Sequence, residues 1–206
     1  MKHAHPITAA VYDRLVESTE RTFLAALRAR LLGSAQGKVL EVGAGTGRNF
    51  PHYSSSAINE IIAVEPDPYM RRRAEARVAA VGTTITLTAG TAESLPVSNQ
   101  SIDTIVSTLV LCSVDDPDAA IREWRRVLKP LGTVFLIEHL RAEQPRRAWV
   151  QDLITPVWRR IAANCHPNRE TLGTISRGGF DFQESDRLAL GAPWIQPIVA
   201  GVATPR

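Results

Sequence analysis

The chain has 206 residues, 44% of them hydrophobic and 22% charged, which fits one soluble globular domain with a sizeable core. The net charge of +3 is spread over groups such as Arg71-Arg72-Arg73, Arg125-Arg126 and Arg146-Arg147. This excludes the dense basic stripe of a nucleic-acid binder. Two cysteines, Cys112 and Cys165, exclude a disulfide framework, and no apolar run approaches the roughly 18 residues that span a membrane.

In chain order, residues 1–34 read as a helix, with Val11, Leu15, Phe23, Leu24, Leu27 and Leu31 near helical spacing and Gly33 as a stop. This stretch carries no apolar signal core, so a cytoplasmic protein is expected. "KVLEV" (38–42) reads as a buried strand and leads into Gly43, Gly45 and Gly47. A second strand follows at 60–66, a helix at 67–82, a third strand at 84–90 and a fourth at 101–111. Residues 116–130 read as a helix with Asp116 as N-cap and Pro130 after its end, and 132–139 as a fifth strand. Short apolar strands alternating with helices predict an α/β fold, a doubly wound, mostly parallel sheet. Beyond residue 140 the rhythm changes. A helix over 146–164 contains Pro156, which predicts a kink or break. Residues 180–205 read as two strands with a turn near Gly191, able to pair antiparallel. The reading is one domain: a helical N-terminal cap (1–36), a cofactor-binding core (37–140) and a substrate-side segment (141–206).

A doubly wound sheet binds ligands beyond the carboxyl ends of its strands. The three glycines stand there, and a backbone without Cβ atoms can touch a ligand. The spacing is G-x-G-x-G, not the G-x-G-x-x-G of dinucleotide binders, and Arg48 takes the place of the last fingerprint glycine. Glu41, just before the loop, repels a pyrophosphate and suits an ammonium group. Both features favour a cationic nucleoside ligand such as S-adenosylmethionine. Glu65 ends the second strand, 18 residues after Gly47, where an acid can accept both ribose hydroxyls. In "AGTAESLP" (89–96), Ala92 and Glu93 can flank an adenine. "STLVLCSV" (107–114) extends the fourth strand over the place expected for the sulfonium.

These pieces, over about residues 38–140, resemble the class I S-adenosylmethionine-dependent methyltransferases, which implies a seven-stranded sheet with an antiparallel last strand. "EVGAGTGRNFPHY", "VEPDPYM", "STLVLCSVDDP", "EWRRVLKPLG", "IEHLRA" and "NCHPNRET" narrow the resemblance to the alkyl thiol S-methyltransferases. The resemblance implies that Gly43, Ala44, Gly45, Thr46 and Gly47 hold the methionine part of S-adenosylmethionine, Glu65 its ribose, and Thr91, Ala92 and Glu93 its adenine. Asn49, Pro66, Met70, Thr108, Leu109 and Cys112 complete the expected cofactor contacts. Many relatives have an aspartate where this chain has Thr91. Mammalian members carry a hydrophobic N-terminal anchor, whereas residues 1–34 here read as an amphipathic helix of a soluble, bacterial-type homologue.

The implied reaction is an in-line displacement by a nucleophile on an already activated methyl group, so the protein mainly supplies alignment. A free thiol, with a pKa near 8.5, needs only a positive field or a modest base. His139, at the end of the fifth strand, and His166 are the candidate catalytic residues, with Asn168 and Arg169 able to steer an anionic acceptor. Cys112 is expected to wall the pocket, Cys165 to be passive, and Trp149 and Trp158 to cover the acceptor. Neither cysteine has metal-type neighbours, so no metal is expected. The partner is a small-molecule acceptor, with no nucleic acid and no integral membrane segment. The alternatives left open are an oxygen, nitrogen or carbon acceptor, such as a quinone-like aromatic, and a module that binds S-adenosylmethionine without transferring its methyl group. A nucleic-acid methyltransferase is disfavoured, because "STLV" stands where an "NPPY"-type motif would follow the fourth strand.

Overall fold

A computed structural model describes residues 24–53, 56–81, 84–189 and 192–206. Its elements are α1 (Ala25–Leu32), β1 (Gly37–Val42), a 3-10 turn (Phe50–His52), β2 (Ile58–Val64), α2 (Pro68–Val78), β3 (Ile85–Thr88) and β4 (Ile102–Thr108). They continue with α3 (Pro117–Val127), β5 (Leu128–His139), α4 (Pro145–Ile161), α5 (Thr171–Arg177), β6 (Phe180–Leu188), a second 3-10 turn (Pro193–Ile195) and β7 (Ile198–Pro205). The sheet has seven strands in the order β3-β2-β1-β4-β5-β7-β6. β1 to β5 are parallel, β7 runs antiparallel to β5, and β6 antiparallel to β7.

The chain winds outward from β1 to β3, then crosses back to place β4 on the other side of β1. That reversal is the switch point where such sheets open a crevice. In register, Val42 lies between Val64 of β2 and Ser107 of β4, so three carboxyl ends meet at one level. Alternate residues feed two cores. Val39, Val106, Phe135 and Ile137 pack on one face with Leu27, Leu31 and Phe50. Leu40, Ile105, Val134 and Leu136 pack on the other with Trp124 and Phe180. Burial on both faces explains why the strands read as continuous apolar runs.

Local signals set the helix starts. Asp67 Oδ1 accepts the amides of Tyr69 and Met70, with Pro68 in the first turn. Asp116 caps α3 through the amide of Ala119, as expected. The expected end of α3 is corrected. Leu128 is already extended and Pro130 lies inside β5, because pairing of Leu128 with Ile102 draws the chain into the sheet before the proline can act as a stop. α4 runs through Pro156 without the expected break. Asp152 and Pro156 are both exposed, so the hydrogen bond lost to the proline falls on the solvent side. The same helix leaves Trp149, Leu153, Val157 and Ile161 exposed at four-residue spacing. α5 and both 3-10 turns were not anticipated. Of the helix expected over 1–34, only α1 falls within the described residues; Val11, Leu15, Phe23 and the turn at Gly191 lie outside them.

The second half of the sheet rests on a glycine. A Cβ at Gly201 would lie 2.2 Å from the Gln183 carbonyl oxygen and 2.7 Å from the Phe182 ring. Gly201→Ala is expected to destabilise the fold by about 3 kcal/mol, through overpacking that backbone cannot relieve. That corresponds to a melting temperature lower by about 6–12 °C. A Cβ at Gly173, inside α5, meets the flexible end of Arg177 at 3.2 Å and Glu170 Cβ at an ordinary 3.9 Å, so Gly173→Ala should be neutral or stabilising by about 0.5–1 kcal/mol. Thermal unfolding of both variants checks the pair.

Candidate active site

Gly43, Gly45 and Gly47 have φ of 67°, 56° and 80°, a region costly for other residues. A Cβ at Gly43 would strike Val110, and one at Gly47 would strike the Phe50 ring. At Gly45 it would meet nothing within 4 Å, so this is where the loop turns its bare backbone to open space. The Gly45 amide donates to Glu65 Oε2 (2.7 Å), and the Asp67 amide donates to Glu65 Oε1 (2.8 Å). The tip of β2 is thereby tied to the loop after β1. Thr46 is buried, and Arg77 donates to its carbonyl.

On the other side of the loop, Glu41 is buried and accepts from the Tyr53 hydroxyl (2.7 Å) and Asn49 Nδ2 (3.1 Å). Asn49 Nδ2 also reaches Thr108 Oγ1 (3.0 Å), and Arg28 Nη1 donates to Thr108 Oγ1 (3.0 Å) and to Asn49 Oδ1. Burial pushes Glu41 up to about 7, although the bonds from Tyr53 and Asn49 oppose it. Burial likewise lifts Glu65 to about 7, against the bonds from the Asp67 and Gly45 amides. Two carboxylates that are costly to ionise thus flank an open glycine turn. Sequence reasoning missed Arg28 and Tyr53; Arg28 belongs to no motif and lies 80 residues from Thr108, and Tyr53 closes the "EVGAGTGRNFPHY" stretch without any sign that it reaches back to Glu41.

The expected adenine segment follows β3. Thr91 bridges to Ser94, and Ala92 is buried. Glu93 Oε1 accepts the amides of Asp115 (3.0 Å) and Asp116 (3.3 Å), so it ties this loop to the start of α3. Met70 is buried and Pro66 half-buried in the first turn beyond β2.

The acceptor side is built on the tips of β4 and β5. Leu109 adopts φ 60°, unusual for a branched side chain, and donates its amide to the Ile137 carbonyl (2.7 Å). The next three amides converge on buried Glu138. Val110 (2.8 Å) and Leu111 (2.9 Å) donate to Oε1, and Cys112 (3.3 Å) to Oε2; Ser107 Oγ also reaches Oε1 (3.2 Å). Burial raises the Glu138 carboxyl, and the Leu111 and Val110 amides work against it. Glu138 was also missed: it stands inside the "IEHLRA" stretch and is an acid in an otherwise apolar strand, but nothing local shows the amides it accepts.

This turn delivers Cys112 to His139. His139 Nδ1 lies 3.5 Å from the sulfurs of both Cys112 and Cys165, which are 3.7 Å apart, and all three residues are buried. Burial alone would lower His139, but the Cys112 sulfur and Glu138 outweigh it and raise the imidazole above its ordinary value. Cys112 is raised well above an ordinary thiol by Cys165 and burial. Cys165 is lowered, chiefly by its contact with Cys112 and then by Trp158 and Arg169. The neighbours that lower the Cys165 thiol come from segments distant in sequence, which no local pattern around Cys165 reveals. His166 donates its amide to the Cys112 carbonyl (2.7 Å), Arg169 donates to the Leu111 carbonyl, and burial lowers the half-buried His166 ring. Asn168 points away, its Nδ2 donating to Asp152 (2.9 Å). Trp158 packs edge-on to Trp194, ring centroids 6.4 Å apart.

Residues 40–136 match the family model described as "Methyltransferase domain". The chain is 32% identical over 180 residues to the thiol S-methyltransferase TMT1B of Rattus norvegicus, covering 84% of this chain and 72% of that one. It is 27% identical to the human thiol S-methyltransferase TMT1A, covering 94% and 81%. Among solved structures, the YcgJ protein of Bacillus subtilis superposes with a TM-score of 0.68 at 20% identity, over 87% of this chain and 95% of that one. A methyltransferase of Thermotoga maritima gives 0.63 at 23%, over 96% and 99%. At these identities the two structures establish the Rossmann-like fold.

The residues present fit S-adenosylmethionine. Gly45 leaves room for its backbone approach, Glu41 offers an anion to an ammonium group, and Glu65 offers two acceptors to a diol. A cation on Glu41 requires the carboxylate, so binding below pH 7 must release a proton. Affinity is expected to tighten from pH 6 to 7.5 by up to about tenfold per unit for each proton released. Glu41→Gln should weaken binding about 10–100-fold and remove one proton from that release. Titration calorimetry in buffers of differing ionisation enthalpy measures both. In the ligand-free chain the sign is opposite. Carboxyls raised from 4.5 to about 7 contribute stability that is complete below pH 4.5 and lost as pH rises through 7.

Proposed function

The chain belongs to the class I S-adenosylmethionine-dependent methyltransferases, in their thiol S-methyltransferase group, and we propose that its acceptor is the sulfur of a small thiol or sulfide. The observation that carries this reading is the make-up of the acceptor side. Two sulfurs, one imidazole and the Arg169 guanidinium meet at the tips of β4 and β5. Among the described residues, the carboxylate buried beside them, Glu138, is engaged by backbone amides. An alcohol acceptor asks for a strong base, whereas a thiol ionises near pH 8.5 and asks for little more than a positive field.

When bound, S-adenosylmethionine supplies an activated methyl group. The chain's own part is to hold the acceptor sulfur in line with that methyl, to exclude water, and to favour the ionised acceptor through His139 and Arg169. Gly43 to Gly47 and Asn49 hold the donor's amino-acid end, Glu65, Pro66 and Met70 the ribose side, and Thr91 to Glu93 the base. Thr108, Leu109 and Cys112 form the wall where donor and acceptor meet, and His166 steadies that wall through the Cys112 carbonyl. Relatives that methylate thiols support the acceptor class. A reducing, cytoplasmic setting suits Cys112 and Cys165, both of which are free thiols.

The purified chain is expected to form S-adenosylhomocysteine with hydrogen sulfide or an alkyl thiol at a kcat/KM at least about 100-fold above that for a phenol or an amine, the size of a well-placed acid–base or field contribution. Equal turnover of a phenol would defeat the sulfur assignment, and product formed with no acceptor class would favour a binding module.

A further inference from the structure

No metal site is foreseen from the spacing of the cysteines, yet the fold gathers three metal-type donors from three separate segments: the turn after β4, the last residue of β5, and the loop after α4. The distances between Cys112 Sγ, His139 Nδ1 and Cys165 Sγ are 3.7 Å for sulfur to sulfur and 3.5 Å for each sulfur to nitrogen. Zinc–sulfur and zinc–nitrogen bonds of about 2.3 and 2.0–2.1 Å at tetrahedral angles imply edges of about 3.8 and 3.5 Å. The three donors already form one face of such a tetrahedron.

The face is held by the protein itself. Glu138 fixes the Cys112 amide, the His166 amide fixes the Cys112 carbonyl, and Thr171 Oγ1 donates to the His139 carbonyl (3.0 Å). These contacts fix the backbone from which the Cys112 and His139 side chains project. Two thiolates and an imidazole select a soft, thiophilic ion, and three protein ligands leave a fourth position open, the pattern of zinc sites that take up an outside ligand. The donors stand on the carboxyl edge of the sheet, beside Thr108 and Leu109.

We propose that Cys112, His139 and Cys165 bind one zinc ion whose fourth position takes the sulfur of the methyl acceptor. Loading releases the protons of the two cysteine thiols to solvent. An incoming acceptor thiol loses its proton to solvent as its sulfur binds the ion. In transfer, the acceptor's sulfur–carbon bond forms while the donor's sulfonium–methyl bond breaks. The neutral thioether product is a poorer ligand and leaves. Zinc binding stands independently of the acceptor; the role of the fourth position rests on the thiol reading above.

The test is reconstitution of the full chain, purified under reductant and stripped by chelator, with Co²⁺ as the spectroscopic probe. One equivalent should bind, with sulfur-to-cobalt charge transfer in the near ultraviolet and tetrahedral visible bands. An alkyl thiol should shift those bands and the corresponding alcohol should not. Cys165→Ser and His139→Gln should lose more than the about 10–100-fold in Co²⁺ affinity that an outer-shell change costs. Their unchanged S-adenosylmethionine affinity would show that they fold. Substoichiometric uptake by the wild type, or variant spectra equal to its own, would overturn the site. Full-rate thiol methylation by the metal-free chain would overturn the role of the fourth position, while leaving the sulfur acceptor intact. Bound cobalt that no thiol perturbs would overturn the fourth-position assignment alone.

Discussion

The acceptor half of the molecule depends on one sealed carboxylate. Glu138 sits inside the sheet, where an ionised group is expensive, and three consecutive backbone amides aim at it from the tip of β4. Those amides can converge only if the chain turns sharply after Thr108. Leu109 makes that turn in a left-handed conformation that a leucine would not choose alone. The turn brings Cys112 over the end of β5, to His139, and lets the loop after α4 close on both with Cys165. The interaction is therefore less a source of stability than a device that sets where reactive side chains meet.

The donor half uses buried acids differently. Glu138 accepts four hydrogen bonds, whereas buried Glu41 and Glu65, beside the glycine loop, accept two each and keep part of their capacity unused. Their raised values are a strain that a cation and a diol can relieve. A site prepared in this way discriminates by charge. A pyrophosphate would add a third anion between two others, while a sulfonium with an α-ammonium group cancels what burial has made costly. One sheet edge thus carries a place for a cationic donor beside a place for a soft, easily ionised acceptor.

What could be read from the sequence was local. The glycine spacing, Glu41 before it and Glu65 at the next strand end lie in fixed positions relative to β1 and β2, and strand alternation gave the parallel sheet. His139 was legible as the end of a strand. Arg28, Tyr53 and Glu138 were not, because their meaning comes from contacts across the fold; Glu138 meets amides 26 to 28 residues away. The cysteine cluster was hidden for the same reason, since Cys112 and Cys165 are 53 residues apart and only the loop after α4 unites them. Pro130 misled because sheet pairing overrode a local stop signal, and α5 is too short to show a periodicity.

Amide hydrogen exchange in Glu138→Gln tests the central constraint most directly. The side-chain amide would face the Cys112 amide with a second donor, and an unsatisfied buried group costs about 1–3 kcal/mol. The amides of Val110, Leu111 and Cys112 should then exchange about tenfold or more faster, with S-adenosylmethionine still held at the glycine loop. Protection of those three amides equal to wild type would show that the carboxylate does not shape the turn.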